Sequence, residues 1–435
     1  MKRLLVIFCI LIFSLVTFSA TRHTYVDQSV LSDGKFVKIQ VKETGVYAIT
    51  YEELKDWGLR PEEVRILGYG GNMLSENFTL PKWDDLPSIA FYMHKGTDNV
   101  FNRGDYILFY ARGSIGWKFV GGRWRHTRNP YSDYGYYFLS DSAGEQRLMT
   151  IADELADEGT YDVNWATECL LHEVEKVNLL DKSGAQGGGR EFYGESMQLE
   201  NNTLSFTFDT HNVRTDQNII CFADVAVSAS GDTANKSMIS LQLGGSRQSV
   251  AIPYINVADF YTKAECDSIL LNTKAKSTGK QEVKLQFSSP TDAAVGYLNY
   301  IEMLVPIDLI MRGNEMAFNS TVYSLKQENV RFTMAGVSSN TQVWRVTNGV
   351  DVERMPIKKL SNEKITWVDS NAQAEMYVAV NVDATEWKKP GCLGVVKNQN
   401  LHALRNKDYV IICPEEFREQ AIRLAKKHEE VDHLT

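Results

Sequence analysis

The sequence is short of paired cysteines. Its six cysteines stand singly over 435 residues, with no Cys-x-x-Cys and, among eight histidines, no His-x-x-x-His. That excludes a zinc knuckle and a dithiol redox motif. Long apolar runs are also missing: beyond residue 20 none approaches the ~20 residues that a membrane-spanning helix needs. Positive charge is in deficit, with 46 Lys and Arg against 55 Asp and Glu and a net charge of −9, and an acidic surface repels phosphate backbones. Nucleic acid is therefore not an expected partner. There is no internal repeat and no low-complexity linker. The glycines Gly68, Gly70 and Gly71 lack the Lys-Ser/Thr of a phosphate loop and read as a turn with Tyr69 and Asn72.

What is present is a globular composition, 43% hydrophobic, enough for two or three domains. The first twenty residues stand apart, with Lys2 and Arg3, an apolar run from Leu4 to Val16, then small Ser19 and Ala20 before polar Thr21. This layout predicts a secretory signal peptide over 1–20, and hence an exported protein with no transmembrane span after cleavage. Loss of Lys2 and Arg3, the only charges there, would take the net charge from −9 to −11. Cys9 would leave with them. Cys169, Cys221, Cys266, Cys392 and Cys413 would remain, an odd number that allows one or two disulfides, and most read as small buried hydrophobes.

Apolar and polar residues alternate through Phe36–Val41 and resume at Val46–Thr50 after Glu43-Thr44-Gly45, which predicts two strands joined by a tight turn. Thr50 then caps a short helix through Glu53, Leu54 and Trp57, closed by Gly58 and followed by Pro61. Val64–Gly68, Ile89–Met93, Asp105–Tyr110 and Gly135–Leu139 suit strands. From about Leu199 to Val305, short runs such as Leu204–Phe208 and Val283–Phe287 recur between turns and predict a β-sandwich. Thr321–Val380 is again β-rich, with Val343–Val346 and Met376–Val380 as strands. Gly184–Gly189, four glycines in six residues, marks the first domain boundary.

The period changes at the end. Tyr409–Cys413 is an uninterrupted apolar run of the kind that forms a strand buried on both faces, and Pro414 stops it. Glu415 and Glu416 suit a helix N-terminus, after which Phe417, Ala421, Leu424, Ala425 and His428 share one helical face. A strand and a helix open an α/β domain, but no partner strands follow them. The expectation is a chain that stops inside that domain.

Several segments, in order, resemble the sortase family of the type IX secretion system, gingipain-type cysteine peptidases of Bacteroidota. They are Val41-Lys42-Glu43-Thr44-Gly45-Val46-Tyr47 with Tyr51 and Leu54; Gly104-Asp105 with Phe109-Tyr110-Ala111; Trp117; and Asn129-Pro130-Tyr131-Ser132 before Tyr136–Leu139. His172-Glu173, Gly189–Glu195 and Gly296–Glu302 continue the series, with Phe192 and Asn299 where the family usually has Trp and Asp. Asn398-Gln399-Asn400-Leu401-His402 followed by Asp408–Ile412 is the strongest match. The resemblance implies a β-rich N-terminal region ahead of a caspase-like α/β catalytic domain. It implies an intact parent that removes C-terminal sorting signals from exported cargo and joins the new terminus to surface lipopolysaccharide. Its implied partners are that cargo and outer-membrane secretion and attachment proteins, at the periplasm or the outer-membrane cell surface. The family's catalytic His and Cys come after the first strand and helix of the catalytic domain, beyond Thr435.

The expected class is thus mainly β: a signal peptide (1–20), an N-terminal β-rich domain (21–190), a β-sandwich (191–310), a β-rich connecting domain (311–404) and the start of an α/β domain (405–435). No catalytic, metal or cofactor-binding residue is assigned, and the chain alone is expected to be no enzyme. Cys413 with His402 is the one tempting thiol and base, but a buried strand thiol is unreactive. His428 reads as a packed residue. Asp84-Asp85 and the run Asp153–Glu158 read as solvated faces. Trp117, Trp124, Tyr131, Tyr134, Tyr136 and Tyr137 serve strand cores, or else a platform for sugar rings, which would make the protein a secreted adhesin or carbohydrate-binding β-sandwich. The triplets at Asn77, Asn201 and Asn235 have the glycosylation pattern, which recurs by chance.

Overall fold

A computed structural model describes residues 25–80, 82–157, 160–179, 191–259, 261–275, 278–321 and 329–435. The expected signal peptide and the Gly184–Gly189 boundary lie outside the described residues. Strands dominate, at Phe36–Val41, Gly45–Thr50, Arg65–Gly70, Phe91–His94, Tyr106–Ala111 and Gly135–Ser140 in the first third. The chain forms a mainly β structure of several sheets with a C-terminal helix.

The first two strands form where alternation predicts them, but they do not pair with each other. Phe36–Val41 lies between Gly135–Ser140 and Gly391–Val396, in a four-stranded sheet completed by Arg65–Gly70. Gly45–Thr50 pairs with Tyr106–Ala111, which also holds Phe91–His94. The turn passes the chain from one sheet to the other, and alternation alone carries no information about the partner. The helix that follows, Tyr51–Asp56, has a full capping box: Thr50 Oγ1 accepts the Glu53 amide at 3.1 Å and the Glu53 carboxylate accepts the Thr50 amide at 2.7 Å. Gly58 ends it at φ +73°, in the left-handed region open to glycine. Gly70 is tied as firmly, since at φ +59° an added Cβ would lie 2.4 Å from both the Arg112 carbonyl and the Tyr137 hydroxyl.

The largest sheet runs Glu265–Lys274, Asn218–Ser228, Val295–Asp308, Trp165–Glu173, Glu315–Asn319, Met376–Asn381, Thr341–Thr347 and Asp351–Arg354, with Ser196–Met197 alongside Val295–Asp308. Its strands come from all three stretches 21–190, 191–310 and 311–404, so these stretches share one continuous backbone ladder. A four-stranded sheet of Thr203–Thr210, Gly279–Ser288, Lys236–Leu243 and Ser246–Pro253 supplies the second layer of the sandwich. Ile239, Leu241, Leu285 and Phe287 from that layer share a core with Cys221, Val225, Ile301 and Met303 from the large sheet, all fully buried. At about 1.5–3 kcal/mol for each large side chain removed from water, this layer dominates the stability of the middle of the chain. Elsewhere in the same core Phe318, Phe332, Trp367 and Tyr377 stack with ring centroids 5.2–6.1 Å apart. The Tyr377 hydroxyl donates to the buried Asp369 at 2.6 Å, and Arg345 neutralises that carboxylate.

Two compact units are distinguished. One comprises Lys35–Leu74 and Pro87–Val396. The other, in its described residues, comprises 25–34, 75–80, 82–86 and 397–435. In this second unit the helix forms over Arg418–Asp432 as its pattern predicts, but Tyr409–Cys413 is not a strand. Val410 and Ile412 are exposed to 67% and 94%, the opposite of a strand buried on both faces. Among the described residues no strand pairs with this run, which leaves its backbone open to solvent.

Candidate functional site

Residues that carried the family resemblance meet under one element, the hairpin of Ile115–Val120 and Arg123–Arg128. This hairpin is a two-stranded sheet whose strands pair only with each other. Its turn is Gly121-Gly122, both with positive φ. Such a ribbon is marginal in water by itself, so its position must come from side chains. Trp124 Nε1 donates to the Ser320 carbonyl at 2.8 Å. Arg123 and Arg125 lie over the Phe222 ring, 4.0 and 5.4 Å from its centroid. Beside the hairpin, Arg112 donates to Thr127 Oγ1 at 2.6 Å.

The centre of the contact is ionic. His126 contributes both its amide and its Nδ1 to Glu302 Oε1, at 2.8 and 2.7 Å, while its Nε2 is 3.4 Å from Glu173. Arg128 Nε holds the other oxygen of Glu173 at 2.6 Å. His126 stands edge-on to Tyr300 with centroids 4.4 Å apart. Burial, the largest influence, favours the neutral imidazole, but hydrogen bonds and charge from Glu173 and Glu302 outweigh it and raise the His126 pKa to about 9. For Glu173 burial acts upward, and His126 and Arg128 together pull it below the usual carboxylate range. The His126 imidazolium and the Glu173 carboxylate are therefore charged at neutral pH, and with Glu302 they form a buried triad closed by Arg128.

Neighbouring motif residues fasten the same sheet. His172 Nε2 is 3.1 Å from Glu195, the Gly194 amide donates to the Leu298 carbonyl at 2.8 Å, and the Leu298 amide returns to the Glu195 carbonyl at 2.9 Å. Asn299 donates to Asp224 at 3.0 Å; burial, only partly opposed by that bond, lifts Asp224 to about 6. Asn129 Nδ2 donates to the Gly71 carbonyl at 3.3 Å. The segments thus act as fasteners. Glu173 and Glu302 were visible in sequence as motif members, but nothing there pointed to His126 as the residue between them.

Within the second unit Asn400 Oδ1 accepts the Ser29 amide at 3.0 Å, and the Gln399 amide donates to the Leu31 carbonyl at 3.0 Å. Asp85 accepts the Ser29 hydroxyl at 3.1 Å and the Val30 amide. Asp84 and Asp85 are therefore not simply solvated: they and Asn400 tie down residues 26–31. The run Asp153–Glu158 is exposed where described, with Glu154 and Asp157 paired to Lys358, and Glu158 lies outside the described residues.

The predicted burial of the cysteines needs correction. Cys221 is buried and Cys169 half-buried, whereas Cys266, Cys392 and Cys413 are exposed, and all five are free. Cys413 loses its shelter because the run around it is not a strand. No hydrogen bond joins it to His402 among the described residues. His428 is half-buried, packed on Tyr409 at 4.7 Å and bonded to Asp432 at 2.6 Å. The six aromatics do not share one face: Trp124 and Tyr137 are buried, Tyr131 is 71% exposed, and Tyr136 lies beneath Lys38. No group of three or more His, Cys, Asp or Glu arranged to hold a metal occurs among the described residues, and no helix there is long and apolar enough to cross a membrane.

Sheets from three stretches of chain, fastened by buried charge and followed by an exposed apolar run and a helix, define a multi-sheet β scaffold with a C-terminal α extension. No family model and no curated protein matches the sequence. Among solved structures, the crystal structure of dimeric latent PorU from Porphyromonas gingivalis matches with a TM-score of 0.80 and 25% identity, over 94% of this chain and 37% of that one. The chain has the fold of a PorU-like N-terminal portion and spans little more than a third of that protein's length. The carbohydrate-binding module CBM36 in complex with calcium and xylotriose overlaps 31% of this chain and 98% of its own, at 18% identity and a TM-score of 0.19, which carries no functional weight.

Proposed function

We propose that this chain is the scaffold region of a sortase-like cysteine peptidase of the type IX secretion system, exported to the periplasm or the outer-membrane surface. In the intact parent it holds a caspase-like catalytic domain, which cuts C-terminal sorting signals from cargo and attaches the cargo to surface lipopolysaccharide. The observation that carries this reading is the PorU-like fold over 94% of the chain. The C-terminal segment supports it: Tyr409–Cys413 has a buried strand's composition but no strand partner, and the helix after it buries no residue. Both features suit the first strand and helix of an α/β domain.

By itself the chain is a scaffold without peptidase activity. A nucleophilic thiol needs a base within hydrogen-bond reach, and Cys413 has none among the described residues. The test is cleavage of a sorting-signal peptide by the purified chain. No thiol-dependent cleavage is expected, and cleavage abolished by Cys413→Ser would overturn the reading. A second measurement addresses the scaffold role: a thiol reagent should label Cys413 readily in this chain but not in a longer protein that carries a complete α/β domain after it.

A further inference from the structure

We propose that the hairpin Ile115–Arg128 is a charge-latched arm, a separate cooperative unit that closes over the large sheet and releases before the rest of the β structure unfolds. Three observations carry it. The ribbon has no backbone pairing outside itself, so releasing it breaks no ladder of the large sheet. Its attachments to the large sheet gather at Glu173, Glu302, Phe222 and the Ser320 carbonyl, while Thr44 and Arg112 hold only its root, at the Ile115 carbonyl and Thr127. Its ends are pinned, so that the strands between them move as one piece. Gly113 admits no side chain, because an added Cβ would meet the Lys42 carbonyl at 2.4 Å, and at the other end the Asn129 amide closes on the Ser114 carbonyl at 2.8 Å.

The charges explain why release is all or none. On the arm are Arg123, Arg125, His126 and Arg128; facing them on the sheet are Glu173, Glu302 and Asp224, with the Tyr300 hydroxyl and the Cys169 thiol. Among the described residues, His126 is the only arm residue bonded to two carboxylates at once. Remove its charge and Glu302 loses the cation that hydrogen-bonds it directly, leaving only the charge of Arg123 acting from further off, a state whose relief is to lift the arm and admit water. Lifting also bares Phe222 and the Cys169 thiol, which now lies 3.2 Å from Asn319 Nδ2.

The test is hydrogen exchange of the whole chain at neutral pH, comparing peptides from 115–128 with peptides from 218–228 and 295–308. In His126→Gln the arm peptides should exchange at least tenfold faster while the sheet peptides keep their protection, and Cys169 should label faster in step with the arm. Glu302→Gln keeps the shape and an acceptor for the His126 amide, and so tests the charge without a cavity; it should give the same pattern. Equal acceleration of arm and sheet would mean that the hairpin belongs to the global unit, and unchanged arm exchange in both variants would mean that charge does not hold it. Either result overturns the proposal.

Discussion

Val295–Asp308, where Asn299, Glu302 and Asp308 interrupt the apolar residues, is a strand, whereas the uninterrupted apolar run Tyr409–Cys413 is not. The first is the hub of the large sheet, hydrogen-bonded to Asn218–Ser228 on one side and Trp165–Glu173 on the other. The second is extended chain in water. The difference lies in the partners, not in the run itself, because a strand's hydrogen bonds are satisfied by other strands while a helix satisfies its own. The helix Arg418–Asp432, a few residues away, forms without burying a single side chain.

The sharpest way to break this comparison is to place the same charge in each run. Ile301→Asp puts an unpaired carboxylate in the sandwich core and should cost more than about 4 kcal/mol, enough that little folded protein is recovered. Loss of the His126 charge comes next. His126→Gln should weaken the attachment of the hairpin by about 3 kcal/mol, read as faster hydrogen exchange of peptides from 115–128, with little change of the sheets in urea titration, because it strands buried carboxylates beneath the arm alone.

The pH dependence of that second effect has a definite sign. The folded His126 pKa, about 9, lies above the unfolded value of ~6.5, so its contribution is complete below that unfolded value and is lost as pH rises through about 9. Glu173 is depressed, so its contribution is present above the unfolded value of ~4.3 and is lost on acidification through the folded one. Protection of the 115–128 peptides, corrected for the intrinsic pH dependence of exchange, should therefore be highest in the mildly acidic range and fall on both sides of it. The alkaline fall should shrink in His126→Gln.

Thr50→Ala, which removes half of the capping box, should cost about 1 kcal/mol in the same titration. Ile412→Asp, the counterpart of the first variant, should change stability by less than about 0.5 kcal/mol, because the side chain it replaces is already in solvent. A large loss there would show that Tyr409–Cys413 is packed after all.

How much was legible follows the same logic. The helix at Tyr51–Asp56, with Thr50, Glu53 and Gly58 in their places, could be read because its signals are all local in the chain. The strands at Leu204–Phe208, Val283–Phe287, Val343–Val346 and Met376–Val380 could be read from composition and alternation. Pairing could not: Phe36–Val41 finds Gly391–Val396 across more than 340 residues, and no local pattern encodes that register. The ionic clasp was half visible. Glu173 and Glu302 lie in recognisable motifs, but His126 lies among Arg123, Arg125 and Arg128 with no local pattern that marks it, and only the folded hairpin brings it between them.

The exposed run has a consequence for handling the chain. Tyr-Val-Ile-Ile-Cys is five residues of high β-propensity without a charge, the composition from which intermolecular cross-β contacts start. Asp408 on one side and Pro414-Glu415 on the other act as gatekeepers that keep the adhesive segment short. At high concentration the chain should self-associate through this segment first, well before its β sheets unfold, and Ile412→Asp should raise solubility while leaving stability where it was.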